Sequence, residues 1–187
     1  MAQRVGNRAA FGLLLLVACL GCDKWHSDRS AATYLLTIAT AEADFRGHDR
    51  DENKIHDFWV RDVAGLYGVD PGNGPLRIIV LDLAEADRTA GKGNYQAVPG
   101  GKPYLGYGFA ALKSYRENGE SILYDKGSGR NPSRFGFVAY PAVYSDTSTL
   151  TFIISEKNTQ YSKDTKGKPP AEFPEDPVKD GWSVLQR

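Results

Sequence analysis

The stretch that decides the fold is residues 30–46, which read Ser30-Ala-Ala-Thr-Tyr-Leu-Leu-Thr-Ile-Ala-Thr-Ala-Glu-Ala-Asp-Phe-Arg46. Its apolar side chains recur at steps of three and four residues, the period of one helix face. They are Ala31, Tyr34, Leu35, Ile38, Ala41 and Phe45. Most of the remaining positions are small or polar, among them Glu42 and Asp44, and Gly47 is a helix-ending residue. This pattern predicts one helix from Ser30 to Arg46.

Downstream of Pro103 the pattern becomes that of β-strands, with alternating apolar residues and turn signals between them. Strands are expected at residues 104–115, 135–144, 150–155 and 159–163. The sequence Glu117-Asn118-Gly119-Glu120 is typical of a hairpin turn, and Pro141 favours an edge strand or a bulge. One helix followed by hairpin-linked strands predicts an α+β fold. A long N-terminal helix would pack on an antiparallel β-meander sheet.

The segments between and after these elements are less regular. Residues 58–67 are apolar enough to predict a short helix packed on the first one. Residues 76–90 fit either a second short helix or a strand, since periodicity alone does not separate the two. Four prolines make the C-terminal tail irregular, and we expect Trp182 and Leu185 to dock onto the body.

Length and composition limit the functional classes. The 187 residues fit one domain, and 41% hydrophobic with 25% charged residues is an ordinary globular composition. This composition argues against disorder and against several membrane spans. The 23 basic and 23 acidic side chains cancel, which argues against a nucleic-acid partner bound through bulk charge.

The N-terminus is typical of an export signal. Arg4 and Arg8 precede the apolar run 11–18, which is shorter than the roughly 20 residues of a bilayer span. Leu16-Val17-Ala18-Cys19 resembles the bacterial lipobox, and this resemblance implies that Cys19 is lipidated. Alternatives are acylation at Cys22, an ordinary secretory signal, or a buried helix.

The chain is therefore divided into three segments. Residues 1–18 are assigned to a lipoprotein signal peptide, residues 19–29 to a lipid-anchored tether, and residues 30–187 to a single domain with an irregular tail. This division predicts export and attachment to a membrane of the cell envelope, on its extracytoplasmic side.

The order of elements resembles the globular heads of type IV pilins and of the pseudopilins of type II secretion. The resemblance rests on the helix 30–46 and on the strands Phe135-Gly-Phe-Val-Ala-Tyr-Pro141 and Thr151-Phe-Ile-Ile154. Phe58-Trp-Val-Arg-Asp-Val-Ala-Gly-Leu-Tyr67 and the later strand 135–144 also resemble an uncharacterised group of secreted pilin-like proteins. The resemblance implies a pilin-like α+β head and specifies no activity.

The chain departs from pilins at its N-terminus. Its apolar run is only about ten residues long, against the membrane-length helix of pilins. It ends at the lipobox-like sequence and lacks the glutamate that pilins carry near the start of their helix. We therefore expect a pilin-like head carried on a lipid, acting as a binding or structural module with envelope protein partners. An assembling pseudopilin-like secretion subunit is an alternative.

Residues 48–57, called the acidic loop below, are the strongest candidate for a metal site. Asp49, Asp51, Asn53 and Asp57 occupy positions 1, 3, 5 and 9 of a loop, as oxygen ligands do in calcium loops. Position 6 is Lys54 rather than the usual glycine. Position 12 is Val60 rather than an acid, and the two acids available as substitutes are Glu52 and Asp62. The pattern predicts a weak calcium site, and its alternative is a solvated acidic turn.

Catalytic signatures are weak in this sequence. Both cysteines lie before residue 23, and no Gly-x-Ser-x-Gly motif is present. His48 and His56 lie at the two ends of the acidic loop, where a transition-metal site with Asp49 or Asp57 is an alternative to two surface histidines. We therefore expect no enzymatic activity. The rival interpretation is an envelope hydrolase whose site is assembled from distant residues, such as a Ser–His–Asp set.

Overall fold

The structure is a computed structural model that describes residues 16–88 and 98–185, with side chains from residue 24 onward. The predicted signal peptide lies largely outside the described residues, and so do the side chains of Cys19 and Cys22. The helices are α1 (Leu16–Gly47), α2 (Gly65–Gly68) and α3 (Leu81–Glu85). The strands are β1 (Phe58–Trp59), β2 (Tyr107–Ala111), β3 (Ser114–Glu117), β4 (Glu120–Leu123), β5 (Arg130–Asn131), β6 (Gly136–Pro141), β7 (Leu150–Ser155), β8 (Gln160–Asp164), β9 (Glu172–Phe173) and β10 (Ser183–Val184).

Helix α1 buries the apolar stripe that the sequence indicated. Leu35, Ile38 and Phe45 are fully buried against the sheet. The helix is longer than predicted, since it begins at Leu16 rather than at Ser30. Its additional turns are docked on the body, because the Tyr107 hydroxyl donates a hydrogen bond to Asp28 over 2.7 Å. Residues 24–29, assigned above to a tether, are therefore part of α1.

A five-stranded antiparallel sheet forms the other half of the core. Its strand order is β10-β8-β7-β6-β2, and α1 packs on β7, β6 and β2. All residues of β6 are buried, as are five of the six in β7, because both sheet faces are covered. The sheet and the N-terminal helix confirm the mixed α+β class.

Two smaller sheets depart from the single predicted meander. β1 pairs with β5, and β3 lies between β4 and β9. The β3–β9 pair is parallel. The β3–β4 hairpin confirms its predicted turn, with Asn118 and Gly119 at φ of 51° and 80°. Both values lie in the left-handed region that tight two-residue hairpins require.

Two local predictions were wrong. Residues 58–67 form β1, a bend and then α2 rather than one helix. The reason is that the Asp62 carboxylate accepts hydrogen bonds from the Trp59 ring (3.1 Å) and from the Gly65 backbone (2.8 Å). The edge strand predicted from Pro141 was the second error, since Pro141 lies at the end of the central strand β6, and the alternative of a bulge stays a prediction. Pro141 is tolerated because the pairing of β6 with β7 stops at Ala139.

In the remaining stretch, residues 76–90, the one regular element described is the short helix α3. The predicted docking of the C-terminal tail is confirmed. Trp182 is 7% exposed, and the Leu185 amide donates to the Gln160 carbonyl. Over the described ranges, no helix is both long and apolar enough to cross a membrane.

Candidate cation site

The acidic loop connects the end of α1 to β1 and is clamped at both ends. At its start, Arg50 donates two hydrogen bonds to the Asp44 carboxylate, of 2.9 and 3.0 Å. At its end, His56 Nδ1 lies 2.8 Å from the Arg46 carbonyl, and Arg46 Nε donates to the His56 carbonyl. These contacts hold the loop against the last turn of α1.

The backbone of the loop makes the sharp turns that a calcium loop needs, although it contains no glycine. Asp49, Glu52 and Lys54 all have positive φ, and Lys54 at position 6 has φ of 67°. The Lys54 amide donates to Asp49 Oδ2 over 3.0 Å, and the Ile55 amide donates to Asn53 Oδ1 over 2.6 Å. Lysine at position 6 is therefore compatible with the turn for which calcium loops use glycine.

The carboxylate of Asp51 points inward, with 2% of its side chain exposed. Its Oδ2 atom is paired with Arg130 Nε from β5 and also accepts a hydrogen bond from Asn53 Nδ2 over 2.9 Å. Its Oδ1 atom is buried and has no hydrogen-bond partner. One guanidinium therefore faces this acid and supplies a positive charge to the inner side of the loop.

Asp57 ends the loop in a buried position, 6% exposed. Its Oδ1 atom is also buried without a hydrogen-bond partner. Burial raises the pKa of Asp57, and the negative charge of Asp51 raises it further, while Arg130 and Asn53 act in the opposite direction. The charged form of Asp57 is thus disfavoured by its surroundings.

Glu42 is a member of this region that the sequence analysis missed. It was grouped with the polar positions of the helix, yet it is fully buried. Its Oε2 atom accepts a hydrogen bond from the Trp59 backbone over 2.9 Å, and its Oε1 atom has no hydrogen-bond partner. Burial raises the pKa of Glu42 well above its ordinary value, and the charge of Asp57 adds to the rise. Its spacing, four residues after Ile38 and three before Phe45, placed it on the apolar stripe.

Four carboxylate oxygens make up the buried side-chain polar atoms without partners in the described part of the chain. They are Glu42 Oε1, Asp49 Oδ1, Asp51 Oδ1 and Asp57 Oδ1. At the same time, residues 24–88 and 98–185 contain no group of three or more His, Cys, Asp or Glu side chains arranged as a metal site. The acids thus lie in one region, and they do not converge on one point. The predicted calcium site stays a prediction.

The two flanking histidines face the helix end. His48 Nδ1 lies 3.2 Å from the Asp44 carbonyl and 2.9 Å from its carboxylate. His56 Nδ1 is engaged by the Arg46 carbonyl, as described above. One ring nitrogen of each histidine is therefore occupied at the end of α1.

Three cavities among the described residues lie away from the buried acids. One groove of about 560 Å³ runs between α1 and strands β7 and β8, and a second of about 460 Å³ lies along α1 near Thr37 and Ile78. A third, of about 670 Å³, is lined by Arg116, Tyr161 and charged residues of the C-terminal tail. Glu42 and Asp57 line none of these three, so the acids with raised pKa are not presented to a substrate there.

Comparison with known proteins adds one match. The model of a family described as "Protein of unknown function (DUF2950)" matches residues 70–174. No curated protein and no solved structure matches the chain. The matched segment contains Arg130 and begins after the acidic loop.

Proposed function

The chain belongs to the DUF2950 family of proteins of unknown function. We propose that it is a lipid-anchored, non-catalytic binding or structural module of the cell envelope that holds a calcium ion at its acidic loop. The observation that carries the calcium proposal is the set of four buried carboxylate oxygens without partners. A buried anionic oxygen without a compensating partner costs several kcal/mol, about 2–7 for a polar group and more for a charge. A bound cation removes this cost.

Calcium suits this site better than other metals do. The available donors are carboxylate, amide and backbone oxygens, which hard cations prefer. The loop is irregular and contains three positive-φ residues, whereas magnesium demands near-ideal octahedral geometry. Flexible loops of this kind bind calcium weakly in extracellular proteins, with Kd on the order of 10⁻⁴–10⁻³ M.

The anchor proposal is supported by the surface at one end of the domain, beside the N-terminal part of α1. Three large apolar side chains are exposed there: Trp25 (58%), Leu105 (50%) and Val143 (53%). They lie at one end because Lys24 donates to the Ser145 carbonyl and the Ala142 amide donates to the Gly106 carbonyl. Tryptophan is enriched at membrane–water interfaces. This end is therefore suited to face the membrane that holds the lipid.

The non-catalytic part of the proposal is supported by the position of the acids with raised pKa, away from the described cavities. The two acids with raised pKa, Glu42 and Asp57, are buried and line none of the three cavities described above. A hydrolase of the rival type needs such groups at a substrate cleft. The pilin-like head is supported by the order of elements, one N-terminal helix packed on an antiparallel sheet, and this order fits envelope protein partners.

The calcium proposal is tested by thermal unfolding of the full chain, purified in detergent and stripped with a chelator. Calcium at about ten times its Kd stabilises a folded state by about 1.4 kcal/mol. For a domain of this size that is a rise in Tm of about 3–6 °C. A variant with asparagine at Asp49, Asp51 and Asp57 should lose the rise, and Asp82→Asn, at an exposed site, should keep it. A melt that calcium leaves unchanged contradicts the proposal.

The anchor is tested separately by metabolic labelling with a fatty acid and by membrane fractionation. We expect the wild-type chain to be labelled and to sediment with membranes. The Cys19→Ala variant should lose both properties, and Cys22→Ala should keep them. Labelling that depends on Cys22 would reassign the acylated residue. Unlabelled protein released as a soluble form would contradict the anchor.

A further inference from the structure

The groove of about 560 Å³ between α1 and strands β7 and β8 has the dimensions of a site for a narrow apolar ligand. Sites for small molecules occupy about 300–1,000 Å³. Along α1 the lining extends from Trp25 to Leu36, which is about 16 Å at the rise of a helix. Six of the eleven lining residues are apolar, and they are Trp25, Ala32, Leu36, Leu150, Phe152 and Leu185.

Most polar side chains of the groove already have partners within the fold. Asp28 Oδ1 accepts the hydrogen bond from the Tyr107 hydroxyl, and the Thr33 hydroxyl donates to a backbone carbonyl one turn earlier over 2.9 Å. Gln160 Nε2 donates to the Ala32 carbonyl. A peptide in this groove would bring backbone N–H and C=O groups that need partners, whereas an alkyl chain needs none. The lining therefore favours an alkyl chain over a protein segment.

Arg29 differs from the other polar residues of the groove. It is exposed, and its guanidinium lies 5.4 Å from the centre of the Trp25 ring. Among the residues that the structure describes, no carboxylate forms an ion pair with it. The neighbouring Asp28 carboxylate is engaged by Tyr107 instead. A planar guanidinium stacked on an aromatic ring is well suited to hold a carboxylate, so this end of the groove fits an anionic head group.

We propose that the groove binds a fatty acid, with its alkyl chain along α1 and its carboxylate at Arg29. A fully extended chain advances by about 1.2 Å per bond, so a groove of about 16 Å takes an alkyl chain of about 14 carbons. The apolar lining removes this chain from water, and the Arg29 N–H groups donate to the carboxylate. No residue of the acidic loop lines the groove. The inference therefore goes beyond the proposed function and depends neither on calcium nor on the lipid anchor.

The test uses dodecanoate that carries a bromine atom beside its carboxylate, because bromine quenches tryptophan fluorescence on contact. The full chain is kept in digitonin, a detergent built on a rigid sterol skeleton rather than on an alkyl chain. Trp25 lines the groove and is 58% exposed, whereas Trp59 and Trp182 are 3% and 7% exposed. We expect saturable quenching that unbrominated dodecanoate reverses. Trp25→Phe should remove this quenching.

Two variants test the chain and the head group separately. Leu185→Gln places an amide in the apolar lining and should weaken dodecanoate binding by about 10-fold, whereas Leu123→Gln, at an exposed leucine outside the groove, should not. Arg29→Gln should weaken dodecanoate binding by about 2–5-fold, as expected for an exposed ion pair. It should leave competition by uncharged dodecanol unchanged. The matched control is Arg77→Gln, at an exposed arginine 6.0 Å from the Tyr67 ring, which should bind like the wild type.

Each alternative has its own outcome. Quenching that does not saturate, or that Leu185→Gln leaves unchanged, would overturn the groove as the binding site. An equal effect of Arg29→Gln on dodecanoate and on dodecanol would overturn the role of Arg29. Binding seen only in the Cys19→Ala chain would show that the protein's own acyl group fills the groove, and it would overturn a free fatty acid as the occupant. Near-UV circular dichroism of each variant shows whether a lost signal is instead a loss of folding.

Discussion

This protein has two pairs of buried carboxylates, Asp62 with Asp87 and Glu42 with Asp57. The two pairs differ in their surroundings. Asp62 and Asp87 are 1% and 0% exposed, and backbone amides donate to them. Asp87 Oδ2 accepts hydrogen bonds from Val63 and Ala64, of 2.5 and 3.2 Å, and Asp62 Oδ1 accepts one from Gly65. These acids replace missing backbone partners and fix the bend before α2.

Glu42 and Asp57 are also buried, at 0% and 6% exposed, and each keeps one oxygen without a partner. The groups that act on the pKa of Asp57 are mainly other acids, together with the guanidinium of Arg130 and the amide of Asn53. The comparison shows that burial alone does not distinguish an acid with a structural role from an acid that keeps an unpartnered oxygen. The distinguishing property is whether the fold already supplies the donors that a carboxylate needs.

The largest expected effect on stability is at Asp87, one of the two acids to which backbone amides donate. Asp87→Ala leaves two buried amides without an acceptor, each worth about 1–3 kcal/mol, so we expect a loss of about 3 kcal/mol in the free energy of unfolding. Urea denaturation should give the same loss with chelator and with millimolar calcium. Asp82→Ala, whose side chain is 61% exposed, is the control and should change stability by less than about 0.5 kcal/mol. A calcium-dependent loss at Asp87 would break the comparison.

The pH dependence of stability tests the pair of acids with unpartnered oxygens, Glu42 and Asp57. Burial raises the pKa of Glu42 above its ordinary value of 4.5, so the folded state binds a proton that the unfolded state has released. Its contribution to stability is complete below pH 4.5 and is lost as pH rises through the folded pKa. The slope is at most about 1.4 kcal/mol per pH unit for one proton. Denaturation in chelator across this range measures it.

Glu42→Gln carries no titrating proton and should flatten this part of the profile. The control is Glu172→Gln, at an acid whose pKa is lowered by its hydrogen bonds to Ser121 and Arg116. It should leave the slope above pH 4.5 in place. A profile that is the same in wild type and Glu42→Gln would contradict the assignment.

The effect of Asp57→Asn on stability should change sign when calcium is added. In chelator the neutral amide removes repulsion from Asp51, and we expect a gain of about 1 kcal/mol. In calcium the variant loses a ligand and should be less stable than wild type under the same conditions. Asp180→Asn, at an exposed position, should show neither effect. A variant that is destabilised equally in both solutions would place Asp57 with the structural acids.

The smallest effect is expected at position 6 of the loop. Lys54 has φ of 67°, a conformation that glycine adopts without strain. Lys54→Gly should therefore stabilise the chain by about 0.5–1 kcal/mol, and it should tighten calcium binding by removing a positive charge from the loop. Lys126→Gly is the control at an exposed bend outside the positive-φ residues, and it should be slightly destabilising. A loss of stability in Lys54→Gly would show that the Lys54 side chain makes a stabilising contact.

The parts of the fold that the sequence predicts are those encoded by local spacing. The stripe of Leu35, Ile38 and Phe45 and the run 150–155 identify a helix face and a buried strand, and both are observed. The Asn118-Gly119 turn is local as well. The parallel β3–β9 pair joins segments that are distant in sequence, and no short pattern encodes such a pairing.

The same limit applies to the candidate site. The loop oxygens of Asp49, Asp51 and Asp57 could be found because they follow one another at fixed steps. Arg130 reaches Asp51 from 79 residues away, and no spacing rule indicates that contact. Glu42 was open to prediction from its place on the apolar stripe. It was grouped with the polar positions of the helix instead, because glutamate side chains are rarely buried.

The position of α1 in the chain has a kinetic consequence. The helix is made before the strands on which it packs, and its main partner β7 lies far along the sequence. Contacts between distant segments slow folding, whereas β6, β7 and β8 follow one another and pair as neighbours. We therefore expect the meander to form before α1 docks on it, so that Leu35, Ile38 and Phe45 stay exposed until it exists. Until then this stripe is the segment to which a holding chaperone would bind.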